Sequence, residues 1–266
     1  MLPHSQEFYH AAIKVAYPDA CDIRHPALTG MTAPVFLADV NTTTRVFKFN
    51  FAPLVFKNKI ASNLLQEYDI PVPCTKIHAY LDTWFESYEY CPLKTLQEHI
   101  NAGIDDKTIF NAYTKTIEIQ NKIANISPRE FATHKLRYYH DILGLFAKRR
   151  PFPINLYQKS LNAMSRMGKM KILHNDIHPG NILYSPDNNT VRLIDLDAVA
   201  LCNENFTMMT TLQRYPLNDI DALMGAYRKI CGRRLDDNAI KFMLNVTAKI
   251  HNTRVKLEDC YKRILK

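Results

Sequence analysis

No apolar run in this 266-residue sequence approaches the length needed to cross a bilayer. Its first residues, MLPHSQEFYHAAIK, lack the uninterrupted apolar core of a secretory leader. These two absences lead to the expectation of a cytoplasmic, unprocessed chain without a membrane span. The six cysteines, at positions 21, 74, 91, 202, 231 and 260, form no Cys-x-x-Cys pair. That spacing argues against a disulfide frame or a cysteine-built zinc site and fits buried, reduced thiols. Repeats and low-complexity tracts are absent, and 47% hydrophobic with 23% charged residues excludes global disorder. A concentrated basic patch is also missing. The net charge is +8, yet lysines and arginines are spread along the chain, densest at FAKRRPF and CGRRL. Both stretches are short and lack interleaved aromatics, so they read as solvated surface and no nucleic-acid partner is expected. The basicity favours anionic or polyphosphate ligands instead.

What is present falls into two patterns. QEFYHAAIKVAY has helical spacing, and PVFLADV and TRVFKFNF flank the polar turn NTTT as a hairpin. LVFKNKIASNLLQEY predicts an amphipathic helix ending before DIPVP, followed by strands CTKIHAYL and TWFESYEY joined at Asp82. Beyond CPLKTL the pattern turns helical, with TLQEHINAG, TIFNAYTKTIEIQNKIANI, KLRYYHDILGLFA, LYQKSLNAMSRMG, LNDIDALMGAYRKIC and DNAIKFMLNVTAKIH. The expected architecture is α+β: a small antiparallel sheet lobe with one helix over residues 1–91, then a larger, mainly helical lobe over 92–266.

Within the second part, ILHNDIHPGNILY packs two histidines, an aspartate and an asparagine between apolar runs and continues as YSPDNNTVRLIDLDAVA. The Ser-Pro-Asp-Asn-Asn cluster is a hairpin turn, which folds Asp195 back toward Asn181. Two oxygen ligands would then meet at one hard cation such as Mg²⁺, with Asp176 directed into the same site. That combination suits phosphoryl transfer, where metal neutralises phosphate charge and a carboxylate orients the attacking hydroxyl. Alternating His174, Asp176 and His178 offers a competing reading as ligands of a first-row metal. The Pro179-Gly180 pair breaks that strand geometry, and no further His or Cys lies nearby. A purely structural polar turn is the other alternative, and His174 reads as a scaffold residue.

HNDIHPGNIL followed by LIDLD resembles the catalytic loop and metal-binding segment of the aminoglycoside phosphotransferase and choline kinase superfamily, which has a protein-kinase-like two-lobed fold. The resemblance implies that Asp176 orients the acceptor hydroxyl and that Asn181 and Asp195 hold Mg²⁺. Asp197 matches the second acidic position, where it either touches metal or shapes the turn. LTGMTAPVFLADV is similar to the family's first strand, phosphate-covering turn and second strand, with Gly30, Met31 and Thr32 in the turn; an ordinary hairpin turn is the alternative. Lys48 occupies the place of the strand lysine that contacts nucleotide phosphates, although a strand lysine is commonly just solvated. FESYEYCPLKTL resembles the segment joining the lobes, where backbone groups near Glu89, Tyr90 and Cys91 would receive adenine.

One departure stands out. Where the family supplies an early helix glutamate to pair with the lysine, this chain has Lys57, Asn58 and Lys59, and Glu67 comes late in the helix. The implied activity is an ATP- and Mg²⁺-dependent phosphotransferase acting on a hydroxyl of a small molecule, such as choline or another amino alcohol, a sugar, or an antibiotic-like compound. Absence of D-F-G and A-P-E signatures argues against a protein kinase. The alternative is a nucleotide-binding pseudokinase acting through partners. Basic residues after the metal segment favour a neutral, anionic or singly charged acceptor over a polycation. The oligomeric state is not readable from the sequence.

Overall fold

The computed structural model describes residues 4–26, 33–131, 138, 141 and 170–232. The chain divides into two compact units, Met1–Pro92 and Leu93–Lys266.

The first unit is a five-stranded antiparallel sheet between two helices. Helix α1 (Gln6–Ala16) starts at Ser5, whose hydroxyl accepts from the Phe8 amide at 3.3 Å, and buries Tyr9, Ala12 and Ile13 at helical spacing. The strands are β1 (Cys21–Arg24), β2 (Val35–Val40), β3 (Thr43–Asn50), β4 (Lys76–Tyr80) and β5 (Thr83–Glu89), in the order β1-β2-β3-β5-β4. Between β3 and β4 runs helix α2 (Ala52–Glu67). Both hairpin turns have two residues and begin in the left-handed region, at Asn41 (φ 53°) and Leu81 (φ 51°). That matches the right-handed strand twist; asparagine tolerates this conformation and leucine does not favour it. The resemblance of LTGMTAPVFLADV implies a first strand at the start of that stretch; strand β1 lies earlier, at CDIR, which is short, polar and half exposed and shows no signal of its own.

Alternation along β3 separates two buried faces. Phe47 and Phe49 join Phe36, Phe85 and Tyr9 beneath α1, with the Phe49 and Phe85 rings stacked at 4.6 Å. The intervening Lys48 faces the side that α2 covers, where Leu54, Val55, Ala61 and Leu65 are buried. The end of α2 is tied down by Ser62, whose hydroxyl donates to the Pro73 carbonyl at 2.6 Å and accepts from the Thr75 amide at 3.1 Å.

The second unit begins with α3 (Leu96–Asn101), closed by a reciprocal Thr95 and Glu98 capping box. Helix α4 (Asp106–Ala124) starts at Asp105, whose carboxylate accepts from the Thr108 amide at 2.9 Å. Strands β6 (Met170–Leu173) and β9 (Ala200–Asn203) pair antiparallel, as do β7 (Ile182–Ser185) and β8 (Thr190–Leu193). Helices α5 (Glu204–Gln213) and α6 (Ile220–Cys231) follow. α5, with β9 before it, comes from a stretch whose apolar and polar residues alternate in neither period cleanly. The predicted helices KLRYYHDILGLFA, apart from residues 138 and 141, and LYQKSLNAMSRMG and DNAIKFMLNVTAKIH lie outside the described residues. Among the described residues no helix is long and apolar enough to cross a membrane.

Candidate active site

Loop 174–181, between β6 and β7, is built by its own side chains. Asn175 takes φ 61°, a conformation that asparagine accepts more readily than most residues. Its buried amide nitrogen donates to the carbonyls of Leu173 (2.9 Å), Ala198 (2.9 Å) and Ala200 (3.2 Å), and its oxygen accepts from the Thr207 hydroxyl at 2.5 Å. One side chain thus joins β6, β9 and α5. The turn Pro179–Asn181 is capped by His178, whose Nδ1 accepts from the Gly180 amide at 3.1 Å. A Cβ on Gly180 would lie 3.0 Å from Cε1 of that ring, so any other residue there would make the cap give by a few tenths of an ångström.

Asn181 then closes the loop on Asp176. Its Nδ2 donates to the Asp176 carbonyl (2.9 Å) and to Oδ2 (3.1 Å), which leaves the amide oxygen on the opposite arm. The peptide preceding Asp195 is fixed at both ends. The Ile194 amide donates to the Asn181 carbonyl at 3.1 Å, and its carbonyl is bonded by Nε2 of buried His174 at 3.0 Å. β8 ends at Leu193, two residues before Asp195, because Asp195 turns into the left-handed region at φ 62°. Its Oδ1 accepts from the Asp197 amide at 3.3 Å, and Asp197, 5% exposed, takes part in the turn through its backbone. Asp176 and Asn181 are therefore in direct contact, and Ile194, the residue before Asp195, is tied to the Asn181 backbone and to the His174 ring.

Asp176 has a partner that sequence reasoning missed. Arg214, the residue ending α5, donates through Nη1 to Asp176 Oδ1, and His178 Nε2 lies 3.8 Å from Oδ2. Burial by itself pushes the Asp176 carboxyl up, but the Arg214 guanidinium and then His178 outweigh it, and the net result is below the ordinary carboxylate value. His178 moves down because burial disfavours its cation, against the pull of Asp176. No motif marks Arg214, which lies 38 residues from its partner.

In the first unit, Lys48 lies directly opposite Glu86 on β5, with Nζ 4.0 Å from Oε1, and both are buried. Asn58 of α2 donates to the same Oε1 at 3.1 Å. Glu89 is the last residue of β5, and the Tyr90 amide donates to the Thr44 carbonyl at 2.9 Å, extending the ladder with β3. Cys91 is half exposed. Gly30, Met31 and Thr32 lie outside the described residues.

The donor chemistry around Asp195 fits Mg²⁺. Among the described residues no group of three or more His, Cys, Asp or Glu side chains is arranged to hold a metal ion. The Asp195 carboxylate and the Asn181 amide oxygen are instead hard oxygen donors, as that cation prefers.

No protein-family model and no curated protein matches the sequence. Solved structures do. A GDP complex of aminoglycoside 2'-phosphotransferase-IIIa aligns with a TM-score of 0.71 at 15% identity, over 98% of this chain and 94% of that one. Aminoglycoside-3'-phosphotransferase of type VIII gives 0.67 at 12% identity, over 91% and 99%. The chain shares the fold of the small-molecule phosphotransferases. Choline kinase LicA from Streptococcus pneumoniae extends the likeness, with a TM-score of 0.60 at 15% identity over 98% of this chain and 91% of that one. The α+β, kinase-like architecture expected from the sequence is thus observed.

Proposed function

We propose that this chain is a phosphotransferase that moves the γ-phosphoryl group of ATP to a hydroxyl of a small molecule, with Mg²⁺ as cofactor. The observation that carries this reading is the Asp176–Asn181 contact with Asp195 tied alongside, on a fold shared with phosphotransferases of antibiotics and choline.

Each residue has a task in that chemistry. Asp176, ionised across the neutral range, accepts a hydrogen bond from the acceptor hydroxyl and aligns its oxygen. A carboxylate has about four lone-pair sites, so the bonds from Arg214 and Asn181 leave room for this one. As the oxygen–phosphorus bond forms, the bond from phosphorus to the β–γ bridging oxygen breaks, its electrons stay with ADP, and the hydroxyl proton passes to Asp176. Asp195 and the amide oxygen of Asn181 would hold Mg²⁺, with Asp197 shaping their turn. Bound there, the cation supplies positive charge against the phosphate oxygens. Lys48 and the turn at Gly30, Met31 and Thr32 hold the phosphates. Backbone groups near Glu89, Tyr90 and Cys91 receive the base, apart from the Tyr90 amide, which already serves the sheet. Solved structures of this fold are complexes with GDP and AMP, which supports a purine nucleotide and leaves ATP and GTP both to be assayed.

The acceptor is a small molecule with a free hydroxyl. Net charge +8 and the Arg214 guanidinium beside Asp176 favour a neutral, anionic or singly charged acceptor over a polyamine. The test is nucleoside diphosphate release from ATP or GTP against a panel of amino alcohols, sugars and aminoglycosides, with and without Mg²⁺. Metal-dependent release with one class of acceptor is expected. Tight nucleotide binding without product across the panel would replace this reading with the pseudokinase.

A further inference from the structure

The segment of α2 that lacks an acid, Lys57-Asn58-Lys59, leaves open what aims Lys48. The geometry points to Glu86: we propose that this β5 carboxylate is the positioning residue for Lys48, braced from α2 by Asn58, an assignment that rests on Lys48 being a phosphate ligand. Three observations converge on it. Lys48 and Glu86 are direct cross-strand partners, so their side chains leave the sheet on one face. Both are almost wholly buried, at 5% and 3% exposure, and a buried lysine needs a negative partner to stay charged. Glu86 Oε1 receives both contacts, from Lys48 Nζ at 4.0 Å and from Asn58 Nδ2 at 3.1 Å.

The arrangement shifts the roles within the unit. In protein kinases a helix carboxylate meets the strand lysine, and helix position controls that ion pair. Here the carboxylate belongs to the sheet, and the helix contributes the Asn58 amide. The distance between Lys48 and Glu86 is set by the β3–β5 register, which holds Phe47 against Ser87 and Phe49 against Phe85 on either side. A shift of α2 would act on the Asn58 bond, whereas the register that sets the ion pair lies within the sheet. Strand register therefore sets where Lys48 and Glu86 meet.

The test measures binding of ATP or GTP, whichever the parent binds, against binding of the matching nucleoside by calorimetry on the full chain. Glu86→Gln, which keeps the shape and the bond to Asn58, is expected to weaken the triphosphate about tenfold or more and the nucleoside less than about twofold. Lys48→Met should show the same selective loss. Adding Asn58→Asp to Glu86→Gln returns a carboxylate within reach of the same cluster and should restore the triphosphate to within about threefold of the parent. A structural role alone would lower the melting temperature and leave the ratio of triphosphate to nucleoside affinity unchanged. If Lys48→Met lowers that ratio and Glu86→Gln does not, the inference fails and the function of Lys48 stands. Should Lys48→Met change neither ligand, the inference and the role of Lys48 both fall. Where Glu86→Gln alone does not fold, the double variant decides: a kept ratio supports the inference and a lost ratio overturns it.

Discussion

Two charged pairs, one in each unit, are held by different means. Lys48 and Glu86 sit on adjacent strands, both nearly inaccessible to water, and the ladder between β3 and β5 determines their approach. Asp176 and Arg214 come from a loop and a helix end, with side chains 31% and 26% exposed, and no ladder joins them. Their meeting depends on Asn175, which anchors the loop to β9 and to α5 through Thr207. The contrast teaches where each pair is sensitive. A sheet-borne pair responds to loss of charge within it, because an unpaired charge is left in the interior. A loop-borne pair responds to loss of its scaffold, because backbone conformation is what delivers it.

The largest expected effect falls on the loop. Asp176→Ala should lower turnover by about a hundredfold or more while leaving the fold and nucleotide binding intact, since general-base and positioning losses are of that order. Near-parental turnover in steady-state assays would remove Asp176 from the chemistry. Next comes the scaffold. Asn175→Ala places alanine in the left-handed region and leaves buried carbonyls and the Thr207 hydroxyl without their partner, at a cost of about 3 kcal/mol in urea unfolding. A change below about 1 kcal/mol would show that the loop holds itself without this anchor.

Arg214→Gln removes the main influence that keeps the Asp176 carboxyl below its usual value, while burial remains to push it up. In the parent, the stabilising ionised form is present above the unfolded value of 3.8 and is lost only as pH falls through the lower, folded value. In the variant the acid limb of the pH–rate profile should move to higher pH, with turnover near neutrality reduced by about tenfold at most. An unmoved limb would mean that Arg214 does not govern this carboxylate.

The smallest effect belongs to the sheet unit. His78 stacks on Phe85 at 5.1 Å and meets the Ser87 hydroxyl at 2.8 Å; burial, then Arg45 and Lys76, bring its pKa from 6.5 to about 4. As pH falls, the unfolded chain binds this proton first, so stability is lost from 6.5 down to about 4. Solvent around the partly exposed ring limits the loss to about 1–2 kcal/mol. His78→Gln should flatten that part of the stability profile, measured as urea midpoint against pH. An unchanged slope would place the acid sensitivity elsewhere.

The hairpins, α1, α2, α4 and the loop carrying Asp176 and Asn181 were legible in the sequence because their determinants lie within a few residues. Alternation in VFKFNF, the Asn41 turn and the Pro186-Asp187-Asn188-Asn189 turn are local signals, and so is the return of Asp195 toward Asn181 across a short hairpin. β1 and β9 were not legible, because they lack the turn cluster that marks the equally short β7 and β8. Asn175 looked like one more polar loop residue until β6, β9 and α5 were seen to converge on it.

Sequence alone thus determined the α+β class, the strand that carries Lys48 and the order of Asp176, Asn181 and Asp195 around the loop. Tertiary structure alone decided which charges meet. Glu86 stood unassigned in FESYEY until strand register set it opposite Lys48, and Asn58, 28 residues earlier, reached it only through the packing of α2. Arg214 became the partner of Asp176 only once α5 was seated on the loop scaffold, 38 residues away in the chain. The physical reason is range: backbone propensities act over a turn or a hairpin, whereas an ion pair needs two distant side chains brought together by the burial of everything between them.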